Sequence, residues 1–199
     1  MAKLAHKANQ AYVTAYVKAA TEVLPKFFRP DCCLNGTRVA LEVFKRFGIP
    51  AEPIPCRMFV TNKIARDFIA AAGGRGDQDE ATLLAWKAAG AWMIVIDGQV
   101  DDQGYGRHLV CLAAGMLVDS AFGQFHRPQY DIVVPPVMAG PIGSSFRASG
   151  EQYVESADGA TALYMRDPSD RTYEQIAGFQ RSAHNLEAVE EVLRVMRRS

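Results

Sequence analysis

The chain has 199 residues, a length that suits a single domain and allows a full hydrophobic core. Lysine and arginine total 22, and aspartate and glutamate also total 22, so the net charge indicates neither a nucleic-acid partner nor an anionic membrane partner. Four cysteines are too few for a disulfide scaffold, and adjacent Cys32 and Cys33 lack the CxxC spacing of zinc sites. We therefore expect free thiols, with no metal and no cofactor.

Neither the N-terminus nor the longest apolar runs predict a secretion signal or a membrane-spanning segment. Residues 1–6 contain no uninterrupted apolar stretch of the kind found in secretion signals. No later run approaches the length that crosses a bilayer. We expect a cytoplasmic protein without a membrane partner.

Two helices are predicted in the first fifty residues. Apolar residues recur at helical spacing over residues 5–24, and Pro25 is expected to end that helix. Asp31 stands where an N-cap would, and a second helix of about four turns is predicted to follow it. The apolar positions of this second helix are Ala40, Val43, Phe44 and Phe47, and it is expected to end at Gly48.

The middle of the chain predicts one strand and two short helices. Residues 53–60 alternate in the manner of a strand, and their prolines favour an edge or the start of a strand. Short helices are predicted around residues 64–72 and 79–88. The glycines of residues 73–77 are not followed by the GKS or GKT of a phosphate loop, so an ordinary loop is predicted there.

From Trp92 onward, short apolar runs are separated by Gly and Asp turns. Runs at 92–96, 108–112, 116–119 and 130–134 predict an antiparallel meander. A less regular region begins at 135, with a weak strand at 162–165. Leu186, Val189, Leu193 and Met196 then predict a final amphipathic helix. Residues 1–199 are interpreted as one domain, with an N-terminal helix in 1–28, a core at about 30–135 and a C-terminal helix in 183–198.

Cys33 lies in the first turn of the second predicted helix. Unpaired backbone N–H groups and the positive end of the helix dipole favour a thiolate at such a position. Cys33 is therefore a candidate nucleophile. The alternative is that Cys32 and Cys33 are small apolar residues that pack at the start of the helix.

His108 and Asp119 lie on consecutive predicted strands. If Ala114 and Gly115 form a two-residue turn, Asp119 faces Val110 across the hairpin and shares a sheet face with His108. A three-residue turn would place Asp119 on the opposite face. An even turn thus predicts a carboxylate that holds the imidazole, and the alternative for His108 is an exposed residue at a strand end.

The segment from Cys33 to Pro50 resembles the transglutaminase-like branch of the papain-like superfamily. In that branch the nucleophilic cysteine starts a helix that ends in a leucine-glycine-isoleucine-proline type phrase fifteen residues later. Gly48 has this spacing from Cys33, whereas Cys32 is one residue out of phase. The strands of His108 and Asp119 are similar to the histidine and aspartate strands of this family.

The resemblance covers roughly residues 30–125 and implies an α+β fold of papain-like, transglutaminase-like type. In such a fold the catalytic helix packs on an antiparallel sheet, with further helices here at both ends. It also implies a Cys33–His108–Asp119 triad that hydrolyses or transfers an amide-linked acyl group through a thioester. The expected substrate is a peptide or a small amide or acyl compound.

A second resemblance concerns the residues around Asp119. The segment from Val118 to Gln124 is similar to the valine-aspartate-valine-glycine-phenylalanine-glycine phrase of arylamine N-acetyltransferases. Those enzymes have arginine-glycine-glycine before the cysteine, where this chain has Arg29, Pro30 and Asp31, and this chain is shorter. Acetyl transfer from acetyl-CoA is therefore an alternative function, and a binding module without catalysis is another.

Further polar residues are candidates for the cleft. Asn35 and Gln124 are candidate oxyanion donors beside the backbone N–H of Cys33, although Gln124 also suits a turn. His126 is a candidate cleft residue or an alternative base paired with Asp131. Cys56 and Cys111 lie within predicted strands and are expected to pack inward.

Overall fold

A computed structural model of the chain describes residues 2–74, 78–98, 105–156 and 158–198, and the side chains of residues 2–6 lie outside this description. Within these residues the fold combines helices with a seven-stranded sheet in which every pairing is antiparallel. The predicted mixed α+β class, with helices near both ends of the chain, is confirmed.

The helices of the described residues differ in length and burial. They are α1 (Ala2–Phe27), α2 (Cys33–Arg46), α3 (Lys63–Ala71), α4 (Glu80–Ala88), α5 (Ser144–Ser149) and α6 (Ala183–Met196). None of them combines the length and the apolar character that a membrane crossing requires. The predictions of α2, α3, α4 and α6 are confirmed, and Asn62 and Asp79 cap α3 and α4.

The strands form one sheet with β1 near its centre. They are β1 (Ala51–Thr61), β2 (Met93–Ile96), β3 (His108–Ala113), β4 (Met116–Asp119), β5 (Met138–Pro141), β6 (Glu151–Glu155) and β7 (Thr161–Arg166). Their order is β5-β4-β3-β1-β7-β6, with β2 also paired to β1.

Two apolar clusters pack against the sheet. One joins α1, α2 and α6 to Cys111 and Val118 of β3 and β4. The other includes Val110 and Leu117, which point the opposite way on the same strands. The helices therefore cover one side of the β3–β4 hairpin, and the side that carries Val110 also carries His108.

Two predictions about helix ends were wrong. Pro25 lies inside α1, because the hydrogen-bond pattern resumes beyond it with Phe28 N–H donating to Leu24 O at 2.9 Å. Asp31 does not cap α2. The N-cap residue is Cys32, whose N–H donates to Arg29 O at 3.2 Å. Asp31 is exposed and lies one residue before the N-cap.

The strand with two prolines lies in the middle of the sheet, so the predicted edge position was wrong. β1 pairs with β3 through residues 51–56 and with β7 only through residues 56–61. Asp167 N–H donates to Pro55 O at 2.8 Å, so the polar groups of Pro55 point to the β7 side. Because β7 ends at Arg166, opposite Cys56, the absent N–H of each proline removes no ladder bond.

The predicted meander holds only for β3, β4 and β5. β2 pairs with β1, so β1 separates it from β3. Residues 130–134 form no strand, because Asp131 takes a left-handed conformation with φ +55° and only the single bridge Arg127–Ile132 forms. The weak strand at 162–165 is confirmed as β7, whereas β5, α5 and β6 were not predicted.

The sheet also extends past the predicted limit of the core at residue 135, through β5, β6 and β7. Of the loop predicted at 73–77, Gly73 and Gly74 follow α3 with positive φ angles, as a turn requires. Residues 75–77 lie outside the described residues.

Candidate active site

The hairpin between β3 and β4 sets the distance between His108 and Asp119. Ala113 pairs with Met116, so Ala114 and Gly115 form a two-residue turn, and both have positive φ angles, 52° and 73°. The register from Cys111–Val118 continues to place Asp119 opposite Val110, on the face of His108. His108 Nε2 lies 2.7 Å from Asp119 Oδ2, so the predicted even turn and its pairing are confirmed.

The Asp119 carboxylate is fully buried and receives three hydrogen bonds. Besides His108, Ala121 N–H donates to Oδ1 at 2.9 Å and Tyr164 OH donates to Oδ2 at 2.9 Å. Both His108 and Asp119 are 0% exposed. A buried carboxylate is tolerable when such donors replace its hydration, so these contacts stabilise the charged form.

Sequence reasoning missed Tyr164. It lies on β7, where it pairs with Met58 of β1, and reaches Asp119 across the sheet. The local pattern of residues 162–165 predicts a strand but not which strand lies beside it. No signal within the segment could therefore have identified Tyr164 as a partner of Asp119.

The surroundings of His108 favour its protonated form. Burial disfavours the imidazolium, but the charge and hydrogen bond of Asp119 and the interaction with the Cys33 side chain outweigh burial and raise the pKa of His108 to about 10. Phe125 packs edge-on against the imidazole, with ring centroids 5.5 Å apart. The ring is thus held by a carboxylate on one nitrogen and by an aromatic contact.

Cys33 begins α2, and the start of α2 is fixed against β3 and the end of β4. Thr37 Oγ1 donates a hydrogen bond to Leu109 O at 2.7 Å, next to His108 in the chain. A Cβ atom on Gly36 would lie only 2.9 Å from Cβ of Ser120, next to Asp119, so glycine permits this close approach. These contacts hold the start of α2 beside the β3–β4 hairpin, and Cys33 is among the groups that raise the pKa of His108.

Gln124 contacts the other nitrogen of the imidazole. Its Nε2 lies 2.7 Å from His108 Nδ1. An amide N–H donates to a neutral imidazole, whereas an imidazolium requires the amide oxygen, and rotation of the amide by 180° exchanges the two. Gln124 can therefore hydrogen-bond to either protonation state, and it lies beside the triad as expected for a cleft residue.

Asn35 and His126 make other contacts. Asn35 Nδ2 donates to Asn185 Oδ1 at 3.0 Å and links α2 to α6. Val134 N–H donates to His126 Nδ1 at 3.3 Å. Neither side chain forms a hydrogen bond with His108, Asp119 or Cys33 in the described part of the chain, and the oxyanion role of Asn35 and the cleft or base role of His126 stay predictions.

Residues 170–180, here called the covering segment, lie over the thiol. Tyr173 and Phe179 form an apolar cluster with Cys33, which is only 7% exposed. At one end of the segment Tyr105 OH donates to Asp170 Oδ2 at 3.1 Å, and at the other Asn185 Nδ2 donates to Gln180 O at 3.0 Å. The nucleophile candidate is thus closed off from solvent by a segment bonded at both ends.

The remaining cysteines differ from Cys33. Cys56 and Cys111 are completely buried, as predicted, and burial raises the pKa of both thiols. All four cysteines are free. The described residues contain no group of three His, Cys, Asp or Glu side chains placed to hold a metal ion.

Comparisons with protein-family models, with curated proteins and with solved structures found no match for this chain. The chemistry of the site therefore follows from the geometry of its own residues.

Proposed function

We propose that the chain is a thiol hydrolase or acyltransferase with a papain-like, transglutaminase-like core. Cys33 is the nucleophile, His108 the general base and acid, and Asp119 the residue that orients the imidazole. One observation carries the proposal: an imidazole bonded at 2.7 Å to a buried carboxylate lies on the strand to which the helix that begins at Cys33 is fixed, through the hydrogen bond from Thr37 to Leu109.

The two imidazole nitrogens have different roles in this mechanism. Asp119 occupies Nε2, so Nδ1 is the nitrogen that exchanges a proton with Cys33, and the Gln124 amide, which contacts Nδ1 in this structure, turns away for that exchange. The carboxylate stabilises the imidazolium that forms, in agreement with the raised pKa of His108. The Cys33 thiolate then attacks an acyl carbon, His108 protonates the leaving group, and water or an amine resolves the thioester.

Two donors are available for the oxyanion of the tetrahedral intermediate. The backbone N–H of Cys33 belongs to the first turn of α2, where N–H groups have no partner within the helix. The Gln124 amide is the second, because its Nε2 already lies beside the imidazole. Rotation of this amide toward the substrate would move it from His108 Nδ1 to the oxyanion.

The substrate in this proposal is a peptide or a small amide or acyl compound. We also infer a cytoplasmic location, since all four cysteines are unpaired and a reducing compartment keeps them so. One observation favours a competing function: the low exposure of Cys33 under Tyr173 and Phe179 suits a binding module that does not catalyse.

The test is chemical trapping of Cys33. At pH 7 we expect p-nitrophenyl acetate to add one acetyl group to Cys33, detected by mass spectrometry of the intact protein and its peptides. Cys33→Ala and His108→Ala should abolish this adduct, whereas Cys32→Ala, one residue away, should retain it. Acetylation by acetyl-CoA at a comparable rate would favour the acetyltransferase alternative.

A second measurement addresses the binding module. Cys33 should react with iodoacetamide at least tenfold faster than Cys56 and Cys111, and His108→Ala should remove most of that difference. If the three thiols react equally and His108→Ala changes nothing, the chain is not a thiol enzyme.

A further inference from the structure

A cavity lies directly beside the candidate active site. Its volume is about 360 Å³, within the range of small-molecule sites. Four segments line it: the end of α1 and the turn after it, the start of α2, residues 120–126 and residues 134–137. It opens to solvent beside exposed residues such as Arg29 and Pro136. No strand of the sheet contributes to this lining.

The lining is almost entirely apolar. Leu24, Phe28 and Val137 are representative, and the polar side chains near them are already engaged. Ser120 Oγ forms a hydrogen bond of 2.7 Å with Tyr16 OH, and His126 Nδ1 accepts from Val134 N–H. Such a surface gains from an apolar occupant and offers few hydrogen bonds to a polar one.

Cys32 also contributes a neutral surface. Its thiol lines the cavity, and burial is the main cause that raises its pKa. It therefore adds a weakly polar group rather than a charge. Arg29 is the one cationic side chain of the lining, and it is exposed at the solvent side.

The cavity meets the catalytic group at three neighbouring residues. Ala121 lines the cavity and also packs against Cys33. Cys32 precedes Cys33, and Gly123 precedes Gln124, whose amide contacts His108. Cys33 itself is not among the described lining residues, and Ala121 is the residue shared by the cavity lining and the apolar cluster of Cys33.

The chemistry of acyl transfer decides which part of a substrate suits this space. The leaving group must depart and be replaced by water or an amine, so it needs a path to solvent. The acyl group stays bound to the protein through both steps and gains most from an apolar site next to the nucleophile. We propose that the cavity holds the acyl group, and that the substrates are amides or thioesters of medium-chain or aromatic acids.

This inference rests on the function proposed above. The Cys33 sulfur forms a bond with the acyl carbon as the bond to the leaving nitrogen or sulfur breaks. The proton of Cys33 passes through His108 to the leaving group. Water then attacks the thioester, gives its proton to His108, and releases the carboxylic acid as Cys33 regains a proton.

The test compares p-nitrophenyl esters of acetic, butanoic, hexanoic and octanoic acids on the whole chain, with rates of Cys33→Ala subtracted. We expect kcat/KM to rise about two- to fourfold for each methylene that enters the cavity, as for burial of CH₂ groups. Val134→Phe and Cys32→Phe, which both fill the cavity, should remove this rise, so that kcat/KM of each variant no longer increases with acyl length. Leu84→Phe adds similar bulk on the exposed side of α4 and should leave the whole series unchanged.

The outcomes separate the two proposals. Loss of acylation with every ester would overturn the function itself. Two results would overturn only the inference that the cavity holds the acyl group. One is acylation by the acetate ester with no increase of kcat/KM along the series, and the other is an increase that both cavity-filling variants retain. A preference that follows the leaving group, in acetyl thioesters of increasing alkyl length, would assign the cavity to the leaving group instead and also overturn the inference.

Discussion

The imidazole and the thiol of the candidate site are held in different ways. His108 and Asp119 are completely buried and bonded to each other, to Tyr164 and to the backbone of Ala121. Cys33 lies in an apolar cluster with Tyr173 and Phe179 of the covering segment and with Leu109 and Ala121. Hydrogen bonds to a charged group fix geometry, whereas apolar contacts with a surface segment can be released locally. We therefore expect the His108 imidazole to be rigid and the Cys33 thiol to become accessible when the covering segment opens locally.

The largest expected effect comes from the carboxylate. Asp119→Asn keeps the shape of the side chain but removes the charge that stabilises the imidazolium. We expect the acylation rate of Cys33 to fall by about 10³- to 10⁴-fold. Stopped-flow measurement with p-nitrophenyl acetate tests this, with Asp67→Asn on the surface of α3 as the control. A loss of less than tenfold would contradict the role of Asp119.

The pH dependence of stability tests the same interaction. Because the pKa of His108 in the folded chain is raised to about 10, above its unfolded value near 6.5, its contribution is complete below pH 6.5 and is lost as the pH rises through 10. Wild type should therefore lose stability on the order of 1 kcal/mol per pH unit relative to His108→Gln over this window. If urea unfolding shows that the free energies of unfolding of the two proteins change with pH in the same way from pH 6.5 to 10, His108 is not stabilised as an imidazolium.

Tyr164 is expected to have a smaller effect. Tyr164→Phe removes one hydrogen bond to a buried carboxylate without changing the ring, and should cost about 2 kcal/mol of unfolding free energy. Urea denaturation measures this cost, and Tyr153→Phe is a matched control because Tyr153 is 62% exposed. Equal midpoints for the two variants would indicate that Tyr164 does not stabilise Asp119.

Local opening of the covering segment is tested by Phe179→Ala. Removal of this ring uncovers the thiol, so the reaction of Cys33 with iodoacetamide should accelerate about tenfold, the equivalent of about 1.4 kcal/mol in opening. Tyr153→Ala, outside the covering segment, serves as the control. An equal acceleration at Cys56 and Cys111 would mean general loosening of the fold and not local opening.

The sequence predicts those parts of the fold that depend on local spacing. The helices α2, α3, α4 and α6 follow from periodicity and breakers, and the hairpin from Ala114 and Gly115. Long-range pairing cannot be inferred in this way. It places the prolines of β1 inside the sheet, brings Tyr164 to Asp119 and lays the covering segment over Cys33. The pairing of His108 with Asp119 was predictable from the even turn between their strands, whereas the role of Cys33 rests on a resemblance to family spacing and stays a prediction.

The position of Tyr164 has a consequence for synthesis of the chain. β7 is the last strand of the sheet in chain order, and it supplies a donor to the carboxylate that β4 carries. While a ribosome has produced only the residues up to β6, Asp119 lacks this donor and β1 has an open edge. We expect the hydrogen bonds of Asp119 to be complete only after residue 166 has emerged, so the His108–Asp119 pair reaches its final surroundings at a late stage of folding.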